Sequence, residues 1–143
     1  MAQLTTQQAT TIAQEVLAEG DRRGFAPLCC VVLDNGGHPL ALLRDERAAI
    51  YRPEIATAKA AGCLGMGFGG RELKRRAEAM PAFFAGLQAI FPKGMLPVPG
   101  GVLIRSGGEL VGAVGATGDN SDNDEICALA GIAAAGLEAE TGA

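Results

Sequence analysis

The chain has 143 residues, 48% hydrophobic and 20% charged, which suits one globular domain spanning 1–143 and excludes disorder of the whole chain. Twelve Lys and Arg stand against sixteen Asp and Glu, a net charge of −4, so a broad basic surface for nucleic acid is excluded. The first eight residues carry no basic charge and no apolar core, and the longest apolar run, Cys127 to Leu137, is too short for a bilayer, so a cytoplasmic protein with no membrane contact is expected.

Glycine occurs 21 times, about twice its usual frequency of roughly 7%, and aromatics are only 4%. A core of small aliphatic side chains with close backbone approach is expected, with subunit packing adding stability.

In chain order, the first predicted helix runs from Thr6 to Arg23. Thr5-Thr6-Gln7-Gln8 fits a capping box, and Gly24 suits a left-handed cap. Ile12, Ala13, Val16 and Leu17 form its inward stripe. Leu28 to Leu33 is an unbroken apolar run of strand length, which implies cover on both faces. The turn Asp34-Asn35-Gly36-Gly37, with Asn-Gly expected to supply positive φ angles, returns the chain as a second strand, Pro39 to Arg44.

After the loop Asp45–Ala48, a helix is predicted over Arg52–Met66, opened by Pro53. A glycine break at 67–70 separates it from a charged helix, Arg71–Ala79, whose Arg71, Lys74, Arg75 and Arg76 read as a solvated face. A short helix, Pro81–Ala89, is expected to turn Phe83, Phe84 and Leu87 inward. The Pro/Gly-rich stretch Pro92–Gly101 is long enough to be a functional loop. Val102–Arg105, a Ser106-Gly107-Gly108 turn and Glu109–Gly115 form a second hairpin. Gly112 and Gly115 mark close approach by another backbone. A last helix is predicted over Ser121–Glu140, burying Ile126, Leu129, Ala130, Ala133 and Leu137. Two hairpins with intervening helices predict an α+β fold whose antiparallel sheet is covered on both faces.

No standard catalytic motif is present. Cys29, Cys30, Cys63 and Cys127 lack paired metal spacing and read as small buried hydrophobes, so no metal site is expected. The lone histidine, His38, beside the first turn, is either idle or a haem or metal ligand. From Gly112 to Glu125 a glycine-rich strand end runs into a helix start. Thr117, Gly118 and Asp119 either cap that helix with its other acids or rim a ligand pocket. Arg44, Tyr51, Arg52, Glu54 and Lys59 form a second constellation. They are either surface ion pairs or a site in which Arg44 binds an acid and Glu54 or Lys59 moves a proton.

Together these segments resemble the GlcG/HbpS family, also called DUF336. The carriers are Asp34-Asn35-Gly36-Gly37-His38-Pro39-Leu40, Arg44 to Ala48, Ile55-Ala56-Thr57-Ala58-Lys59-Ala60, Pro99 to Ile104, Gly112 to Gly118, and Asp124-Glu125. Leu103 and Thr117 stand where the family commonly has Pro and Ser. The resemblance implies a profilin-like three-layer α/β/α domain that assembles into homo-oligomers, tetramers or octamers. It also implies binding of a tetrapyrrole, haem or corrinoid, or of a small carboxylate metabolite. Ligand-binding positions on this reading are Arg44, Tyr51, Arg52, Gly100, Gly101, Thr117, Gly118, Asp119, Asp124 and Glu125. The alternative is a cofactor-independent isomerase, hydratase or tautomerase acting on a keto or hydroxy acid, with Glu54 or Lys59 as the catalytic residue that moves a proton.

Overall fold

The computed structural model describes residues 2–143. Its elements are α1 (Thr6–Arg23), β1 (Cys29–Asp34), β2 (Pro39–Arg44), α2 (Arg52–Met66), α3 (Gly70–Ala79), α4 (Pro81–Leu87), β3 (Gly101–Ser106), β4 (Glu109–Thr117), α5 (Ser121–Ala134) and β5 (Glu138–Glu140). The strands form one antiparallel sheet in the order β2-β1-β4-β3-β5. This is the expected α+β architecture, three layers with helices on both faces.

Strand side chains alternate between two cores. Cys30, Val32, Val102, Ile104, Val114 and Ala116 meet α1 and α5. Cys29, Val31, Leu33, Leu103 and Ala113 meet α2 and the helices after it. β1 is buried along Cys29–Leu33, as its unbroken apolar run requires. Thr5 and Gln8 cap α1 reciprocally, and Gly24 closes it at φ 71°.

Two glycines decide how close α2 lies to the sheet. A Cβ on Gly115 would stand 1.9 Å from the Ala56 carbonyl oxygen, and one on Gly101 would stand 2.7 Å from the Lys59 carbonyl oxygen. Without those side chains α2 settles directly on β3 and β4, which carries Lys59 to the end of the sheet.

Four local expectations are corrected. The last helix ends at Ala134, because Gly136 turns left-handed (φ 73°) and the chain returns as β5 along β3. Its buried residues are Asp124, Glu125, Cys127, Ala128, Gly131 and Ile132; Ile126, Leu129, Ala130 and Leu137 are half-buried and Ala133 is exposed. The reason is Gly131, whose bare backbone packs on Ile12 and Val16 of α1 and so sets the helix's rotation. Phe83 is exposed, while Phe84 and Leu87 alone anchor α4. In the first hairpin only Gly37 is left-handed, and the Asp34 carboxylate accepts the Gly36 and His38 N–H groups in place of an Asn-Gly turn.

Candidate functional site

Most of the residues singled out from the sequence converge where β4 ends and α5 begins. The Lys59 ammonium donates to the Ala116 carbonyl (2.9 Å) and to Asp124 Oδ2 (3.1 Å). The other Asp124 oxygen accepts the Asp119 N–H at 2.9 Å. Gly100, at φ 105°, leaves room for the ammonium: a Cβ there would stand 2.7 Å from Nζ. Arg52 donates to the Thr117 hydroxyl at 2.7 Å. Asp119 accepts from the backbone of Ala26 and Asn120 and from the Asn123 amide, which holds its carboxyl below the usual range. Gly118 packs against the Pro27 carbonyl. One turn further on, Glu125 accepts from Arg71, which also pairs with Asp122.

Lys59, Thr117 and Asp124 are all at most 2% exposed. Burial pushes the Lys59 ammonium down and the Asp124 carboxyl up, while their mutual attraction opposes both shifts. Among the described residues no buried side-chain nitrogen or oxygen lacks a partner. The junction is therefore internally satisfied, a clasp joining three layers.

The rest of the predicted set lies elsewhere. Arg44 donates to the carbonyls of Asp45, Glu46 and Ala48, fixing the loop after β2. Glu54 is exposed on α2, whereas Lys59 is buried on the side of that helix that faces the sheet. Tyr51 is 69% exposed.

Glu54 and Tyr51 instead border a trough along the outer side of α2. Three adjoining hollows share Lys93. The first, about 420 Å3, is walled by Ala61, Leu64, Phe91 and Pro92 beside His38. The second, about 550 Å3, is lined by Tyr51, Glu54, Gln88 and Met95. The third, about 360 Å3, lies between Leu42, Glu54, Thr57 and Pro92. The Lys93 ammonium donates to the Gly37 carbonyl at 2.6 Å, so the loop cation is tied to the first hairpin turn. Phe91 is seated on Gly65, where a Cβ would meet the ring at 2.3 Å. Lys93, Phe91 and Leu64 were not among the predicted site residues. The length of the Pro92–Gly101 loop was the signal that pointed toward Lys93.

All four cysteines are free and buried. Burial pushes the Cys29 and Cys127 thiols up to about 11 and Cys63 up to about 12, and raises Cys30 as well. They remain protonated at neutral pH and behave as core hydrophobes.

A five-stranded antiparallel sheet clasped between α1–α5 and α2–α4, with a surface trough beside its first hairpin, defines a small three-layer α/β/α domain. Residues 4–133 match the family model described as haem degrading protein HbpS-like, and the chain belongs to that family. HbpS itself is 28% identical, with 93% of this chain and 90% of that chain covered and a TM-score of 0.80. A structure described as a PduOC:heme complex superposes with a TM-score of 0.85 at 20% identity, covering 96% and 98%. ORFY of Klebsiella pneumoniae, of family DUF336, gives a TM-score of 0.85 at 21% identity, covering 95% and 93%. The last two likenesses establish the fold alone. No curated protein sequence matches the chain significantly.

Proposed function

We propose that this protein binds a tetrapyrrole, haem, in the trough between α2 and the first hairpin. The observation that carries the reading is the donor set of the first hollow: one imidazole, an apolar wall and one ammonium. These residues fit the group. His38 is the chain's only histidine, and an imidazole is a common axial ligand to haem iron. Ala61, Leu64 and Phe91 offer the apolar surface a macrocycle needs, and Lys93 offers a cation for a propionate. The contact of Lys93 with Gly37 sets that cation in position beforehand, which lowers the cost of ordering it on binding. Bound haem would supply the iron's own redox and oxygen chemistry. Family membership and the haem in the PduOC structure support the same ligand class. The protein is read as acting in the cytoplasm as a homo-oligomer, a tetramer or octamer.

The test is a hemin titration followed through the Soret band. The expected result is a shift at micromolar hemin that is lost in His38→Ala and kept in Thr117→Val, since Thr117 lies inside the clasp. A shift that survives His38→Ala would move the site away from the trough. No shift at all would turn attention to corrinoids and small carboxylates.

A second reading, a cofactor-independent enzyme for a keto or hydroxy acid, is favoured by one observation: the Glu54 carboxylate and the Lys93 ammonium line the same hollows. Turnover abolished by Glu54→Gln in the folded protein would support it over the first.

A further inference from the structure

The two edges of the sheet are built differently. β5 closes one side with three residues, and two of them, Glu138 and Glu140, are charged. Two copies of that strand laid together would oppose carboxylates. Short, charged edges are how sheets avoid pairing with other chains. β2 closes the other side with six residues, and between Pro39 and Arg44 it carries only Leu40, Ala41, Leu42 and Leu43. Among the described residues, no backbone hydrogen bond joins β2 to anything but β1 and the hairpin it belongs to. Its outer row of N–H and C=O groups is unpaired.

Four of the seven large apolar side chains exposed among the described residues lie in β2 or in the connection that follows it. Leu42, Leu43, Ile50 and Tyr51 are 45%, 37%, 80% and 69% exposed. Ile50 and Tyr51 lie in the connection from β2 to α2, and both Leu42 and Tyr51 border hollows that contain Glu54 and Lys93.

We propose that this edge is an interface between two copies of the chain, β2 against β2 in antiparallel register about a twofold axis, joining two five-stranded sheets into one of ten strands. The proposal names the surface through which the homo-oligomer read above forms, and it rests on that reading. Self-pairing suits this strand for three reasons. A twofold antiparallel pair sets Arg44 of one copy beside the other copy's Pro39, so no like charges oppose. Pro39, the one position without an N–H to donate, falls at the end of the ladder. Leu42, on the α2 face of the sheet, and Leu43, on the α1 face, set exposed apolar surface on both sides of the strand. A specific, stable interface buries roughly 1,200–2,000 Å2 in total, so the strand backbone and the residues of the following connection must join these side chains in the contact. A copy seated along β2 also stands beside the open side of the trough at Leu42.

The experiment is sedimentation of the full chain without added haem, wild type beside Leu42→Lys, Ile50→Glu and Glu138→Lys, with circular dichroism confirming the fold of each. The expected wild type sediments at twice the 14.5 kDa chain mass or a multiple of it. Leu42→Lys is expected to reduce that mass at least twofold, Ile50→Glu to weaken association at least tenfold, and Glu138→Lys to change neither. Ile50 lies outside the strand, so its variant keeps the test sound if Leu42→Lys fails to fold. A wild type that stays monomeric at 100 μM overturns both the interface and the oligomeric reading. An oligomer whose mass and affinity survive both Leu42→Lys and Ile50→Glu overturns the interface alone.

Discussion

Lys59 and Asp124 form an ion pair inside the protein, Nζ to Oδ2 at 3.1 Å with the two side chains 3% and 1% exposed. They come from helices on opposite faces of the sheet and meet at the end of β4. The pair is tolerated because the Ala116 carbonyl and the Asp119 N–H fill further hydrogen-bonding positions of both groups. Removing one member leaves the other charge buried and uncompensated. Lys59→Met is therefore expected to destabilise the fold by about 3–5 kcal/mol, whereas Lys59→Met with Asp124→Leu recovers much of that loss. Urea unfolding of both variants checks this. A double variant no more stable than the single one would show that the contacts to Ala116 and Asp119 matter more than charge balance.

Gly115→Ala tests the close approach that delivers Lys59. Its Cβ would meet the Ala56 carbonyl oxygen of α2 at 1.9 Å, and backbone on both sides leaves little to yield. A loss of about 3 kcal/mol is expected, seen as a fall in Tm of roughly 10 °C. Gly107→Asn is the comparison. Gly107, unlike Gly115, has positive φ, but it lies in an open turn where a Cβ meets nothing, and a far smaller loss is expected there. A loss at Gly115 no larger than that at Gly107 would show that contact with α2 is not what requires a glycine there.

How legible this molecule was depends on whether a feature is written in neighbouring residues. The capping box at Thr5, the unbroken run of β1, the Gly107-Gly108 turn and the demand for close approach at Gly112 and Gly115 are local, and each stands where the sequence placed it. The end of α5 was misplaced because the helical pattern of 121–140 continues through Gly136, and only the free edge of β3 explains why the chain becomes a strand there. The polar residues near 117–125 are linked by hydrogen bonds in the structure, yet sequence spacing could not distinguish a ligand rim from a satisfied clasp. That distinction is made by burial, and Lys59 reaches Asp124 across 65 positions. The trough was the least legible feature. Its walls come from the first hairpin, α2 and the loop after α4, three segments with no pattern in common.

Asp119 gives the protein an acid-sensitive joint. Three hydrogen bonds to its carboxylate lower its folded pKa beneath the unfolded value of about 3.9. A carboxyl shifted in that direction adds stability above the unfolded pKa, and the contribution is lost as pH falls through the folded one. Asp119→Asn is thus expected to be less stable than wild type at pH 7, and the gap should close as pH falls below about 4. Denaturant midpoints measured across that range decide the matter. A gap that stays constant with pH would mean the side chain acts by shape and neutral hydrogen bonding instead of charge.

Lys93 is where the haem reading meets its sharpest test, because a charge and a wall can be told apart there. The ammonium is exposed and tied to the Gly37 carbonyl, so its pairing with a propionate is a surface interaction, of at most about 1 kcal/mol. Lys93→Met keeps the aliphatic stem along Pro92 and removes only the charge. Hemin affinity is expected to fall about two- to fivefold at low salt, with the difference shrinking as ionic strength shortens the Debye length to a few ångströms. The dimethyl ester of hemin, which has no propionate charge, should bind wild type and Lys93→Met alike, and Lys93→Arg should keep the wild-type preference for the free acid. A loss of the same size for both ligands, unchanged by salt, would show that Lys93 shapes the trough and does not recognise the carboxylate. His38 and the apolar wall would then account for binding without it.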